Sequence, residues 1–278
     1  MIMGCVFEVS AVSDIGRVRG NNEDYYAFIR VGDDALIVTV ADGVGGLQSG
    51  EVASKLGAVV VTTEVAKFIA SYDALIARGP FDVDLTKVAY EAVNRANEVI
   101  RGAVAGSGTT LVSAILLQKT CEAYIVNVGD SRAYLIDPYE IAQLTRDHSI
   151  AWRDYESSIP KALPRQEVKL GSGDFENWLR TFSLSKLMNI INHPRAHVIN
   201  NVVGYFGEVG YVDVFRVKLM SGDILLLTTD GLTDVLDDYE IWMLLRLGRS
   251  EALRELINVV NRRGGPDNIT VALVRVKE

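Results

Sequence analysis

The chain has 278 residues and a mass of 30.5 kDa, with 49% hydrophobic residues, 23% charged residues and a formal net charge of −8. This composition excludes global disorder and leaves enough apolar chain for a core without disulfides or structural metal. No run of five basic residues occurs, so a phosphate-neutralising nucleic-acid surface is excluded.

Val6, Val9 and Val12 open a β-rich region, followed by strands over Tyr25–Val31 and Ala35–Ala41. From Gly50 a helical spacing runs through Val52, Leu56, Val59, Val60 and Val65 to about Ala70. Asp84 reads as an N-cap for a second helix, whose stripe is Leu85, Val88, Ala89, Ala92, Val93, Ala96, Val99 and Ile100. Strands over Thr109–Gln118, Glu122–Val128, Arg132–Ile136 and Ile141–Leu144 then follow with short turns, which predicts an antiparallel meander. Residues 149–200 show no clean period. Tyr211–Leu219 and Ile224–Thr229 read as a hairpin around Ser221-Gly222-Asp223. Helices over Asp238–Leu247 and Ser250–Arg263 and a strand over Ile269–Val276 complete the chain. The order implies one α+β domain over residues 1–278, two packed sheets with a helix pair on each outer face.

Cys5 and Cys121 lie in apolar, strand-like runs with no CxxC pair, and read as buried small hydrophobes. His148, His193 and His197 are the three histidines. A His/Cys zinc site would need nearly all five residues, so any metal is expected to be oxygen-ligated. Met1–Val12 lacks a basic segment before an apolar one, and Ala35–Ala41 and Ile224–Leu227 are too short to span a bilayer. A cytoplasmic protein with no membrane partner is the expectation.

Acidic residues recur where strands meet turns: Asp24 before a strand, Asp42 and Asp230 after fully apolar strands, Asp130 after another, and Asp267 before the last. One Asp-Gly dipeptide alone reads as a turn. Here Asp42-Gly43 and Asp230-Gly231 lead toward helices instead of partner strands, which is not hairpin chemistry. Carboxylates gathered in one cleft repel one another and need cations, and a pair of oxygen-ligated ions serves phosphoryl hydrolysis. Arg19, five positions before Asp24, carries a planar fork suited to phosphate.

Several segments carry a resemblance in order along the chain. They are Ser13-Asp14-Ile15-Gly16 with Arg19 and Asn22-Glu23-Asp24, then Val40-Ala41-Asp42-Gly43-Val44-Gly45-Gly46 and Gly50-Glu51-Val52-Ala53-Ser54. Gly108-Thr109-Thr110, Asn127-Val128-Gly129-Asp130-Ser131-Arg132 and Leu144-Thr145-Arg146-Asp147-His148 follow. Thr229-Asp230-Gly231-Leu232-Thr233-Asp234 and Asp267-Asn268-Ile269-Thr270 end the set. Together they resemble the metal-dependent serine/threonine protein phosphatases of the PPM class (type 2C), in their bacterial-type form.

The resemblance implies an αββα sandwich with two Mn²⁺ or Mg²⁺ ions at one end between the sheets. Asp42 would bridge the ions, with the Gly43 carbonyl in one shell and Asp230 and Asp267 on the first ion. Asp24 and Glu23 would act largely through waters. Asn268 would orient Asp267, Asp234 would support the shell, and Asp130 matches the position of a third, weaker ion. Arg19 would hold phosphate, and Ser131-Arg132 would be structural. The implied reaction is in-line attack of a metal-bridging hydroxide on phosphoserine or phosphothreonine, with no phosphoenzyme, opposing a Ser/Thr kinase. The chain is expected to act as a monomer on phosphoproteins. A phosphoprotein-binding pseudoenzyme on the same fold and a hydrolase of small phosphate esters are the alternatives. Two departures stand out. Val44 occupies a position where some members place a histidine, leaving the acid unassigned, and residues 149–192 form a flap-like segment longer than usual, expected to select substrates.

Overall fold

The computed structural model describes residues 4–45, 49–75, 84–158, 194–195, 198–246 and 251–277. The apolar runs form strands of two antiparallel sheets. One has the order β1 (Val6–Asp14), β11 (Ile269–Lys277), β10 (Ile224–Thr228), β7 (Arg132–Ile136) and β8 (Ile141–Gln143). The other has the order β2 (Asp24–Val31), β3 (Ala35–Val44), β5 (Leu111–Leu117), β6 (Glu122–Val128) and β9 (Asp213–Lys218), with the short β4 (Gly108–Thr109) beside β3.

The two-sided burial of the strands explains their unbroken hydrophobicity. In β3, Leu36, Val38 and Val40 point between the sheets, where they meet Phe7, Val112, Leu225, Leu227 and Val274. Ala35 and Ile37 point outward onto α1 (Gly50–Leu75) and α2 (Leu85–Ala103), among Val65, Ile69, Leu85, Val93 and Ile100. In β10, Leu225 and Leu227 face inward. Leu226 faces α5 (Asp238–Arg246) and α6 (Ala252–Arg262), among Ile241, Leu256 and Val260. The layers are therefore helix pair, sheet, sheet, helix pair, as expected. Asp84 caps α2 as expected, its Oδ1 accepting the Thr86 N–H at 2.9 Å.

Three sequence expectations fail. Tyr211–Leu219 and Ile224–Thr229 are not a hairpin: β9 pairs with β6, while β10 pairs with β11 and β7 in the other sheet. The meander also breaks, because Gly129–Ser131 carries the chain from β6 in one sheet to β7 in the other. Finally, Cys5 and Cys121 are not free hydrophobes. They form a disulfide with a Cα–Cα distance of 5.3 Å, joining the residue before β1 to the β5–β6 turn. The flap-like segment begins with α3 (Ile150–Ser158), a helix that the sequence did not reveal. Residues 159–193 lie outside the described residues. Among the described residues no helix is long and apolar enough to cross a membrane.

Candidate active site

The sheet topology brings the carboxylates to one end of the sandwich. Asp24 opens β2 and Asp42 lies near the end of β3, directly opposite one another in register. Asp230 starts the one-turn α4 (Asp230–Thr233) after β10, and Asp267 precedes β11. β10 and β11 are neighbours in the opposite sheet, so each sheet contributes two aspartates. Asp130 sits on the crossover between the sheets.

Hydroxyls and backbone groups hold these aspartates in place. Thr229 Oγ1 donates to Asp24 Oδ2 at 2.9 Å and accepts the Thr270 N–H at 3.0 Å, so one hydroxyl ties the two sheets beside the site. The Asp42 N–H donates to Thr110 Oγ1 at 3.0 Å, while Thr109 Oγ1 donates to the Asp42 carbonyl at 2.8 Å. The buried Gly43 N–H donates to the Glu23 carbonyl at 3.0 Å. The Glu23 N–H donates to Asn268 Oδ1 at 2.8 Å, and Asn268 Nδ2 donates to the carbonyls of Ile15 and Asn21. The Asn268 side chain thus pins the Arg19–Glu23 loop. Asp267 is oriented by the Asn268 backbone N–H, at 2.8 Å, rather than by that side chain. Arg19 Nη2 lies 2.6 Å from Asp267 Oδ2, with the guanidinium half-exposed at the mouth. Asp234 is exposed and contributes through its charge, which opposes ionisation of Asp230 and Asp130. Arg132 forms a bidentate ion pair with Asp147 at 2.6–2.9 Å, in keeping with a structural role.

Burial and mutual repulsion dominate the electrostatics of these carboxylates. Burial, reinforced by the negative charges of Asp24, Asp230 and Asp130, pushes the Asp42 carboxyl well above the ordinary range. Burial likewise raises Asp130, with Asp230 and Asp147 adding to the effect. Asp24 is pushed up to about 7 by burial, against hydrogen bonds from Thr270 and Thr229, and Asp230 to about 6 by burial and the charges of Asp234 and Asp267. Among the described residues, one buried oxygen each of Asp24, Asp130 and Asp230 has no hydrogen-bond partner. Burying such groups unpaired is costly.

An all-oxygen donor set with orphaned buried carboxylates fits hard divalent cations. Among the described residues no three His, Cys, Asp or Glu side chains close on one point as a ready-made cage.

Sequence reasoning gave Thr110, Thr229 and His148 no role. Thr110 and Thr229 lie within motif segments, but their partners Asp42 and Asp24 are 68 and 205 residues away in sequence. His148 ends the motif segment Leu144–His148, and its partners Asp213 and Asn201 lie far along the chain.

The profile of the protein phosphatase 2C family matches residues 17–273. The serine/threonine phosphatase stp of Listeria monocytogenes is 36% identical over 269 residues, covering 94% of this chain and 93% of that protein. Protein phosphatase PhpP of Streptococcus pneumoniae is 28% identical over 275 residues, 98% of each. Among solved structures, the serine/threonine phosphatase Stp1 of Staphylococcus aureus superposes with a TM-score of 0.74 at 26% identity, over 100% of this chain and 98% of that one. With a matching profile over nearly its whole length and a relative above 30% identity, the chain belongs to the protein phosphatase 2C family.

Proposed function

We propose that the protein hydrolyses phosphoserine and phosphothreonine in proteins, opposing a Ser/Thr kinase, with Asp24, Asp42, Asp230 and Asp267 as the metal-holding residues and Asp130 as the holder of a third, weaker ion. The single observation that carries this reading is the convergence of aspartates from both sheets, several with unpartnered buried oxygens, beside Arg19. Two Mn²⁺ or Mg²⁺ ions held by these carboxylates would lower the pKa of water and offset charge on the transferring oxygens. The chain's own residues hold that arrangement. Asp42, fixed by Thr109 and Thr110, meets the charge of Asp24 in its own sheet and of Asp230 from the other. Asn268 fixes the loop bearing Arg19, whose fork turns from Asp267 toward a phosphate oxygen as substrate enters. Val44 cannot move a proton, so the leaving alkoxide takes its proton from solvent or from another group.

The test is phosphate release from a phosphothreonine peptide with Mn²⁺ or Mg²⁺. EDTA should abolish it, and Asp42→Asn and Asp230→Asn should each cost several orders of magnitude in kcat. Full activity in either variant would overturn the assignment. Turnover of a bis-aryl phosphodiester above that of the phosphopeptide would favour a small-ester hydrolase.

A further inference from the structure

We propose that His148 is a positioning residue for Asp130, the last link of a buried chain Asp213–His148–Gly129 that aims this carboxylate between the sheets. The proposal rests on the metal reading above only for what Asp130 holds.

Gly129–Ser131 leaves one sheet for the other and belongs to neither ladder, so its backbone groups need partners elsewhere. His148 supplies two of them. Its ring Nδ1 accepts the Gly129 N–H at 3.1 Å, and the His148 backbone N–H donates to the Gly129 carbonyl at 2.9 Å. Gly129 has φ +106°, and a Cβ there would lie 2.6 Å from Thr110 Cβ. The turn is therefore gripped on one side and walled on the other. Among the described residues Asp130 Oδ1 is buried without a hydrogen-bond partner, so its backbone sets where that oxygen points.

The imidazole is itself fixed. Nε2 lies 3.3 Å from Asp213 Oδ2, and Asp213 Oδ2 also accepts Arg146 Nε and Nη2 at 3.2 and 2.9 Å. Asn201 Nδ2 donates to Nδ1 at 2.9 Å. The orientation of that amide follows from its other bonds: Oδ1 accepts the Gly210 N–H and Nδ2 donates to the Tyr211 carbonyl. Two N–H donors therefore meet Nδ1, which must be the unprotonated nitrogen, while Nε2 carries the proton toward Asp213. The ring is 2% exposed. A hydrophobe would fill this space without burying a polar group, but the Gly129 N–H would then lose the acceptor that Nδ1 gives it. Partners that orient a ligating carboxylate typically change metal affinity about 10- to 100-fold when removed.

The test titrates Mn²⁺ into wild type, His148→Phe, His148→Asn and Asp130→Asn, reading free Mn²⁺ by EPR. Asn places an acceptor oxygen near the position of Nδ1; Phe does not. His148→Phe should weaken the weakest Mn²⁺ class roughly ten-fold and leave tighter sites unchanged, and His148→Asn should restore most of the loss. Wild-type ¹⁵N NMR should show an unprotonated Nδ1 and a protonated Nε2, and the Gly129 amide should exchange faster in His148→Phe than in His148→Asn. The proposal is overturned if His148→Phe folds with an unchanged weak site, if His148→Asn is as impaired as His148→Phe, or if the proton sits on Nδ1. That last measurement decides even if His148→Phe does not fold. If Asp130→Asn leaves the whole titration unchanged, the metal reading of Asp130 fails instead, and amide exchange at Gly129 still judges the grip of His148.

Discussion

At the scale of single residues, the aspartates make a trade that pH should expose. Asp24 at about 7 and Asp230 at about 6 lie above the 3.8 of an unperturbed carboxyl, and burial shifts Asp42 and Asp130 in the same direction. A carboxyl raised in the folded state adds stability that is complete below the unfolded value and disappears as pH climbs through the folded one. Metal-free protein should therefore melt at a lower temperature at pH 8 than at pH 5. Asp84 and Asp213 are shifted downward, and their contribution is lost only below about pH 4, outside that window. Saturating Mn²⁺ should reverse the trend at pH 8 by pairing the charges. Calorimetry in EDTA across pH 5–8 checks this, and a flat melting temperature would contradict the raised carboxyls. Arg19 offers a separate kinetic test. Its half-exposed guanidinium is held at the mouth by Asp267, so it is placed to meet phosphate in the ground state. Arg19→Ala should raise KM for an aryl phosphate about ten- to hundred-fold, with a smaller loss in kcat. An unchanged KM would remove Arg19 from the site.

At the scale of elements, the tightest joint is where α4 leaves β10. A Cβ on Gly231 would lie 1.9 Å from the Asn268 carbonyl oxygen, with the Asp267 side chain also nearby. Gly231→Ala must therefore push the Asp230 turn away from the entry to β11. Mn²⁺ affinity should collapse along with activity, and the melting temperature should fall by several degrees, whereas Gly222→Ala, with open space around its Cβ position, should retain metal affinity. The same elements show what the sequence could and could not reveal. The strands and helices themselves were legible, because β3 and β10 are apolar on both faces and α2 carries a clean stripe behind the Asp84 cap. Partner choice was not legible. Ser221-Gly222-Asp223 has the same turn chemistry whether the next strand pairs back or crosses to the other sheet, and the same holds for Gly129–Ser131. The candidate ligands were legible because they sit at strand ends beside glycine. Their supports were not, since Thr229 and His148 act through partners 205 and 65 residues away in sequence.

At the scale of the whole molecule, the disulfide and the candidate site lie at opposite ends of the sandwich. Ala35 begins β3 opposite Leu117, near the Cys121 turn, whereas Asp42 lies at the other end of the same strand, roughly 20–25 Å away at about 3.3 Å per residue. The cystine joins the segment before β1, in one sheet, to a turn of the other sheet. It closes a loop of 116 residues, for which restriction of the unfolded chain is worth about 4–5 kcal/mol. A cystine also sits uneasily with a reducing cytosol, where such bonds are uncommon outside hyperthermophiles. Position and loop length together predict a staple with no part in turnover. The Cys5→Ser/Cys121→Ser double variant should melt about 10 °C lower, given roughly 2–4 °C per kcal/mol for a chain of this size. Its kcat/KM, measured well below the lowered transition, should stay within two-fold of wild type. A large loss of kcat/KM in a variant that remains folded would mean that strain at the cystine end reaches Asp42 along β3, and a melting temperature that does not change would mean that the two sheets are held together by their shared core without the covalent tie.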